Sequence, residues 1–199
     1  MCKSFAAGIL IGMAGTCYCT VQNKYVAAVL FALTLLIICY KDYNLFTGKV
    51  GYLGRTVDWS HLTRIIIGNI FGVFMVASFT KPYINETATA LVAAKLNMPF
   101  RAWIVNSFFC GIIMFLIVSL YKEKKTVIPI LVGIPFFILT GFEHSIADIF
   151  YVLAATTPSI WKTLGFIMTV ICGNLLGSLF IYFIGDFNYD SISEFHIRD

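Results

Sequence analysis

Charged residues are scarce in this chain. Asp, Glu, Lys and Arg make up 12% of its 199 residues, whereas about 25% is usual in a soluble domain, and hydrophobic residues make up 59%. A transmembrane helix needs about 20 apolar residues, so the chain has room for about six of them and for no separate soluble domain. The net charge of +4 is small and lies mainly in loops, which argues against a nucleic-acid partner. The composition therefore predicts an integral membrane protein.

The cysteine pattern also excludes some functions. None of the six cysteines forms a Cys-x-x-Cys pair, and most lie within apolar runs, where cysteine usually acts as a small buried hydrophobic residue. We therefore predict no metal site and no cofactor. The first apolar run begins at Phe5 and lacks the polar cleavage region of a signal peptide, so it is predicted to be a first transmembrane span.

Apolar runs separated by short polar turns predict six spans. The spans are expected at residues 5–21, 25–40, 62–79, 102–121, 127–155 and 163–184. Polar turns are expected at 22–24, 81–86 and 122–125, with a small-residue helix at 87–97. The predicted architecture is a single all-α transmembrane domain over residues 1–185, with halves at about 5–80 and 87–184, followed by a polar tail over 186–199.

Lys and Arg are unequally shared between the two predicted sides of the membrane. One side carries Lys3, Arg55, Arg64, Lys122, Lys124, Lys125 and Arg198. The other side carries Lys24, Lys81 and Lys162. Because short cytoplasmic loops hold the excess of positive residues, we predict that the first side is cytoplasmic. Both termini are expected there, in a multi-pass protein of the plasma membrane.

Two of the predicted spans are interrupted. Polar residues and a glycine at 41–49 interrupt the second span, and Glu143, His144 and Asp148 interrupt the fifth. An ionisable side chain at the centre of a transmembrane helix costs roughly 2.5–3.5 kcal/mol on insertion scales, so such residues are expected to face a protein interior or a wet path. Residues 141–148 are therefore predicted to line a route through the membrane.

The sequence Gly-Asn-x-x-Gly occurs at residues 68–72 and again at 173–177, in the third span of each half. In each half the second span is the interrupted one. Three spans per half is an odd number, so the halves are expected to have opposite orientations, as in many transporters with paired discontinuous helices. Asn69 and Asn174 are expected to bind backbone groups freed by the interruptions. The glycines have a simpler explanation, which is close packing between helices.

The interruptions bring hydrogen-bond donors into the membrane. An interrupted helix leaves backbone N–H groups unpaired at the start of its second half, and such ends attract anions. Thr47 supplies a hydroxyl at the first interruption and His144 an imidazole at the second. With a reference pKa of about 6.5, histidine is a candidate to give a proton to a weak-acid anion, or to donate only a hydrogen bond. The alternative is that His144 only braces the interrupted segments.

Other residues are candidates for the surroundings of this site. The walls of a narrow apolar waist are predicted to be Phe31, Leu35, Phe46 and Phe137, although ordinary packing would explain any one of them. Glu143 is expected to bind backbone N–H groups near the interruption. Lys95 is expected either to attract anions to an outer vestibule or to be a solvated loop residue.

Several of these motifs occur together in one family. Leu45-Phe46-Thr47-Gly48, Gly141-Phe142-Glu143-His144-Ser145 and the two Gly-Asn-x-x-Gly sequences resemble those of the formate/nitrite transporter family. The resemblance extends from the first span to Phe183. It implies an aquaporin-like fold of two inverted three-helix repeats and a homopentamer with one pore per protomer. It also implies passage of formate, nitrite, hydrosulfide or short monocarboxylates such as lactate.

The resemblance implies roles for individual residues. His144 matches the family's central pore histidine, and Thr47 matches its hydroxyl partner. Further matches are Phe31 and Phe137 at an outer constriction, Leu35, Phe46 and Met114 at an inner slit, and Lys95 in a vestibule. Gly111 stands where the family has an asparagine facing the histidine, and it is expected to widen the waist. Asp148 stands where the family often has asparagine, and it is expected to add negative charge near the path.

We therefore predict a channel for small monovalent weak-acid anions, with formate or nitrite favoured over hydrosulfide, and no enzymatic activity. An aquaporin-like channel for neutral solutes is the alternative, but the chain lacks the two Asn-Pro-Ala sequences that such channels normally carry. A metal-dependent membrane enzyme using Glu143, His144 and Asp148 is disfavoured because adjacent residues point apart on a helix. The remaining histidines, His61 and His196, are expected in a loop and in the tail.

Overall fold

The computed structural model describes residues 1–53, 58–157 and 159–185, and all the regular structure in them is helical, as predicted. The helices are, in chain order, α1 (Cys2–Thr20), α2 (Lys24–Tyr40), α3 (Phe46–Lys49), a 3-10 helix (Val50–Leu53), α4 (Trp59–Asn97), α5 (Phe100–Lys124), α6 (Ile128–Leu139), α7 (Ser145–Ala154) and α8 (Ile160–Ile184). The tail at 186–199, with Arg198, and also Arg55, lie outside the described residues. Residues 122–124, predicted as a turn, instead form the last turn of α5.

Four of these helices, α1, α4, α5 and α8, are long and apolar enough to cross a membrane. The apolar helices α2, α6 and α7 are shorter. Helical structure ends at Tyr40 and resumes at Phe46, and it ends at Leu139 and resumes at Ser145. These two gaps between helices lie at the interruptions that the polar residues predicted in the second and fifth spans. In the second gap, Gly141 has a φ of +77°, a conformation that glycine adopts without strain.

The polar turn predicted at residues 81–86 is wrong, because α4 continues through it with Pro82 inside the helix. The polar side chains of this stretch bind the C-terminal end of α7. Lys81 Nζ donates to two backbone carbonyl oxygens there, at 3.0 and 3.4 Å, and Asn85 Nδ2 donates to a third at 2.9 Å. The last carbonyls of a helix have no partners within it, so these bonds satisfy groups that would otherwise be unpaired. The helix predicted at 87–97 is the C-terminal part of α4.

The most extensive helix–helix contacts are those of two pairs of long helices: α1 packs along α4, and α5 packs along α8. Both contacts depend on glycine. A Cβ atom at Gly72 would collide with the backbone of Phe5 on α1, and one at Gly177 would collide with the backbone of Phe108 on α5. The glycines of the two Gly-Asn-x-x-Gly sequences therefore allow close helix packing, as the simpler explanation of these sequences predicted.

Candidate functional site: a histidine-lined cavity

Asn69, which is fully buried on α4, holds the first gap in place. Its Oδ1 accepts a hydrogen bond at 2.9 Å from the backbone N–H of Phe46, the first residue of α3. Its Nδ2 donates to the carbonyl oxygens of Asn44 at 2.8 Å and Ser4 at 2.7 Å. One side-chain amide therefore fixes the start of α3 and attaches the gap to α1.

Asn174, which is fully buried on α8, makes the matching contacts at the second gap. Its Oδ1 accepts a hydrogen bond at 2.8 Å from the backbone N–H of Ser145, the first residue of α7. Its Nδ2 donates to the carbonyl oxygens of Glu143 and Ser107, both at 2.9 Å. The two halves thus use one hydrogen-bonding scheme, in which α8 and α5 take the places of α4 and α1.

His144 immediately precedes α7 and contacts α3. Its Nδ1 accepts the backbone N–H of Ala147 at 3.2 Å, and its Nε2 lies 2.7 Å from Thr47 Oγ1. A ring nitrogen that accepts a hydrogen bond carries no hydrogen, so neutral His144 carries its hydrogen on Nε2 and donates it to Thr47. Both side chains are buried. The imidazole and the hydroxyl therefore join the starts of the two short helices.

Two of the predicted wall residues lie next to His144. The rings of Phe31 and Phe137 meet edge to face with their centroids 6.5 Å apart, and the Phe137 ring lies 6.0 Å from the imidazole. Three further candidates are buried in the apolar core: Leu35, Phe46 and Met114. The imidazole therefore has an aromatic ring beside it.

A cavity of about 360 Å³ lies beside His144. Its polar lining consists of Tyr18, Lys95, Glu143, His144, Asp148 and Tyr151. Its apolar lining includes Phe31, Leu91, Met98, Phe137 and Phe142. The cavity therefore brings the imidazole, three charged side chains and the two wall phenylalanines into one space.

Lys95 is paired with two carboxylates and is not a solvated loop residue. Its Nζ contacts Glu143 Oε2 and lies 3.0 Å from Asp148 Oδ1, and its side chain is only 16% exposed. Glu143 was expected to bind backbone N–H groups near the interruption. That expectation is wrong, because its carboxylate binds the ammonium group of Lys95. Two carboxylates offset the positive charge that Lys95 was expected to present to anions. Asp148 Oδ2 has no hydrogen-bond partner among the described residues.

Gly111 is not among the described residues that line this cavity. It faces the backbone of α8, where a Cβ atom would collide with the carbonyl group of Asn174. Gly8 makes the matching contact with the backbone of Asn69 in the first half. The expectation that Gly111 widens a waist near His144 is therefore wrong, since its missing side chain serves the packing of α5 on α8.

A second cavity, of about 20 Å³, lies among α2, α3 and α5. Its lining includes Leu35, Asp42, Leu45, Lys49 and Lys122. Lys49 and Asp42 form an ion pair at 3.1 Å, with side chains that are 17% and 36% exposed. Sequence reasoning did not select these two residues, and the only signal available was the presence of one acid and two bases inside the first interrupted segment.

The acidic and imidazole side chains of the larger cavity were also the alternative candidates for a metal site. Over residues 1–53, 58–157 and 159–185, no three His, Cys, Asp or Glu side chains form a group that could hold a metal ion. Glu143 and Asp148 bind Lys95, and both ring nitrogens of His144 are hydrogen-bonded. The geometry does not favour metal chemistry at this position.

The chain is similar to proteins of one transporter family. The model of the family described as "Formate/nitrite transporter" matches residues 1–188. The chain is also 28% identical over 160 residues to "Uncharacterized transporter YrhG" of Bacillus subtilis (strain 168). That alignment covers 70% of this chain and 59% of the relative, so the chain spans less than two thirds of the relative's length.

Two solved structures share the fold. "FNT family ion channel" matches with a TM-score of 0.76 at 19% identity, covering 92% of this chain and 86% of that chain. "Pentameric formate channel with formate bound" matches with a TM-score of 0.73 at 21% identity, covering 92% of both chains. At these identities the likeness establishes the fold alone.

Proposed function

The chain belongs to the formate/nitrite transporter family, whose members are membrane channels and transporters and not enzymes, and we propose that it conducts small monovalent weak-acid anions. The observation that carries this proposal is the 2.7 Å contact between Thr47 Oγ1 and His144 Nε2. This contact joins the starts of two short helices beside a cavity. It is the pair of side chains that the family resemblance assigned to the centre of a pore.

The proposed architecture has six crossings. Helices α1, α4, α5 and α8 are four of them. The other two are interrupted crossings, made by α2 with α3 and the 3-10 helix, and by α6 with α7. The matching hydrogen bonds of Asn69 and Asn174, and the matching glycine contacts of α1 on α4 and of α5 on α8, support two repeats of opposite orientation.

The proposed path links the two cavities. Phe31 and Phe137 line the larger cavity and form its constriction, and Leu35 lines the smaller one. Between them the solute meets Thr47 and His144 and then the inner slit, which consists of Leu35, Phe46 and Met114. Thr47 Oγ1 accepts the hydrogen of His144 and keeps its own hydroxyl hydrogen for an oxygen of the solute. Gly111 has no place in this path, because it packs on α8.

Formate and nitrite are the favoured substrates, and hydrosulfide is the next candidate. An isolated anion is costly to bury in apolar surroundings, so a narrow apolar waist favours small solutes that become neutral by taking up a proton. Formate, nitrite and hydrosulfide are the conjugate bases of such acids. The similar structure described as a pentameric formate channel with formate bound supports the same class.

We further propose a homopentamer in the plasma membrane, with one pore per protomer and both termini in the cytoplasm. The similar pentameric channel supports the assembly. Large apolar side chains on α4, including Phe71, Phe74 and Phe79, are exposed and offer surface to lipid or to a neighbouring protomer. The basic end of α5, with Lys122 and Lys124, supports the orientation because positive residues favour the cytoplasmic side.

Purified protein in liposomes tests this function. Formate, nitrite, hydrosulfide and lactate fluxes are compared at two pH values with those of protein-free liposomes, and formate and nitrite are expected to be fastest. Thr47→Val removes the hydroxyl with little change in shape and is expected to lower formate flux at least about tenfold. Thr47→Ser keeps the hydroxyl and is the matched control.

Wild-type fluxes equal to those of protein-free liposomes for all four solutes would contradict the proposal. Transport of water or of a neutral solute without any of the anions would favour the aquaporin-like alternative, for which the comparisons with known proteins give no support. Equal formate fluxes in the Thr47→Val and wild-type proteins would remove Thr47 from the path while leaving the anion channel intact.

A further inference from the structure

The hydrogen bonds of His144 make it a poor source of protons for a passing anion. Nδ1 accepts the N–H of Ala147, and the Nε2 hydrogen is donated to Thr47. Release of that hydrogen would break the contact between α3 and α7, and protonation of Nδ1 would remove the side-chain cap of α7. If a weak acid crosses the waist in its neutral form, its proton has to come from another group.

The larger cavity contains such a group in the cluster of Lys95, Glu143 and Asp148. Both carboxylates bind the same ammonium group, Asp148 through Oδ1 at 3.0 Å. Glu143 and Asp148 are each only 1% exposed, yet both line the cavity that His144 also lines. A solute in the cavity is therefore adjacent to the cluster before it reaches the imidazole.

The charges of this cluster do not balance when all three groups are ionised. Two carboxylates and one ammonium group leave a net charge of −1 in a buried site, which is costly, and the binding of one proton removes it. Asp148 Oδ2 is the atom without a hydrogen-bond partner among the described residues. Buried polar atoms are nearly always paired, so an unpaired carboxyl oxygen beside a cavity indicates a position for a proton and for a ligand that accepts it.

Ionisable groups from several helices lie around Asp148. They are Tyr18 of α1, Lys95 of α4, Cys110 of α5, Glu143 and His144 of the second gap, and Tyr151 of α7. Phenols and thiols are much weaker acids than carboxylic acids, so they do not give up a proton readily to a carboxylate-like anion. Lys95 remains charged between its two partners. The carboxyl pair is therefore the acid of the cavity.

We propose that Asp148, together with Glu143 and Lys95, holds one exchangeable proton and supplies it to the weak-acid anion in the larger cavity. This inference rests on the proposed function. In the step, the carboxyl O–H bond of Asp148 breaks and an O–H bond forms on formate or nitrite. Lys95 pairs with the carboxylate that is left, and the neutral acid passes the waist. A proton from water on the same side of the membrane then restores the carboxyl group.

The test measures protons and formate together in liposomes that contain the purified protein, at a clamped membrane potential. A trapped pH dye reports protons, and labelled formate reports the anion. Wild type is expected to take up about one proton per formate, and Asp148→Asn, which keeps the size but not the acid, is expected to lower that ratio about tenfold. Asp148→Glu restores a carboxyl group and is expected to restore the ratio.

The matched control is Glu86→Gln, which removes an exposed carboxyl group from α4 and should leave the ratio unchanged. Loss of formate uptake in monodisperse Asp148→Asn protein, with uptake retained in Asp148→Glu, would also support the proposal. A wild-type ratio of protons to formate in Asp148→Asn would overturn the proposal. So would a ratio that falls in His144→Asn but not in Asp148→Asn. The absence of formate uptake by wild type would instead contradict the proposed function. If Asp148→Asn does not reconstitute, Glu143→Gln provides the same test.

Discussion

The two gaps of the fold share a scaffold and differ in chemistry. At each gap one asparagine binds the first N–H of the next helix, a carbonyl of the gap and a carbonyl of a neighbouring long helix. The residue before α3 is Leu45, whose side chain caps nothing, whereas the residue before α7 is His144, whose imidazole caps the helix. The shared groups build the architecture, and the groups that differ are the ones suited to act on a solute.

The ion pairs beside the two gaps also differ, in the number of carboxylates and in how deeply those carboxylates are buried. Lys49 and Asp42, beside the first gap, form a simple pair with partly exposed side chains. Lys95, beside the second gap, is about as exposed as Lys49, but both of its carboxylate partners are buried. An exposed pair contributes little to stability, whereas a buried cluster is strongly affected by the loss of one member. Removal of one charge is therefore expected to cost more stability at the second gap than at the first.

The substitution of leucine for Asn69 or Asn174 is expected to have the largest effect on the shared scaffold. Each change removes three buried hydrogen bonds, and a buried group that loses its partner costs about 1–3 kcal/mol. Thermal unfolding in detergent should show large and similar losses for both variants. Asn23→Ala, which removes the exposed cap of α2, is the control and should cost only about 1 kcal/mol. A stable Asn69→Leu protein beside an unstable Asn174→Leu protein would show that the two gaps are not equivalent.

Replacement of Lys95 or Lys49 by methionine is expected to show that the ion pairs at the two gaps contribute differently to stability. Lys95→Met leaves two buried carboxylates without their cation and should cost about 3–5 kcal/mol. Lys49→Met affects a partly exposed pair and should cost at most about 1 kcal/mol. Both are measured by thermal unfolding. Addition of Asp148→Asn to Lys95→Met should restore part of the loss, and equal losses for the two single variants would contradict the distinction.

Substitutions of His144 are expected to separate its capping role from its role beside the cavity. Asparagine is a good helix cap, so His144→Asn should keep most of the stability that His144→Ala loses, which is about 1 kcal/mol. Both variants lose the hydrogen bond to Thr47, so both should lower formate flux about tenfold or more. Unfolding and liposome flux are measured on the same preparations. Wild-type flux in His144→Asn would show that the bond between His144 and Thr47 has no part in transport and that His144 serves only as the cap of α7.

Alanine at Gly8 or Gly111 is expected to destabilise the protein, and by a similar amount in the two halves. In both cases the new Cβ atom meets a backbone carbonyl of the facing helix, and the strain should cost about 1–3 kcal/mol. Gly165→Ala is the control, because nothing lies within 4 Å of its Cβ position and alanine should stabilise α8 by at most about 1 kcal/mol. A Gly111→Ala protein of unchanged stability but altered preference between formate and lactate would return Gly111 to the path.

The positions of the gaps could be predicted from sequence because their cause is local. Polar residues inside an apolar run are costly in a membrane, so 41–49 and 141–148 were marked by composition alone. The repeated Gly-Asn-x-x-Gly sequence likewise records a local need for close packing and a side-chain amide. The family could be recognised because several such short sequences occur together.

Other features depend on partners that are distant in sequence. Lys81 and Asn85 suggested a polar turn because the carbonyls that they bind belong to α7. Lys95 suggested an accessible charge because its carboxylate partners lie 48 or more residues later in the chain. Gly111 was expected to widen the waist because of its place in a motif, whereas its role depends on which face of α5 meets α8. Sequence identifies the residues in these cases, and tertiary structure determines what they do.

The length of α4 has a mechanical consequence. A helix of 39 residues is about 58 Å long, roughly twice the thickness of the hydrocarbon layer. Near its beginning it clamps α3 through Asn69, and near its end it carries Lys95 to the base of α7. Helix α4 is therefore a second link between two short helices that Thr47 and His144 already join directly. Pro82 removes one backbone hydrogen bond between these two points of α4, so this residue is where the second link bends most easily.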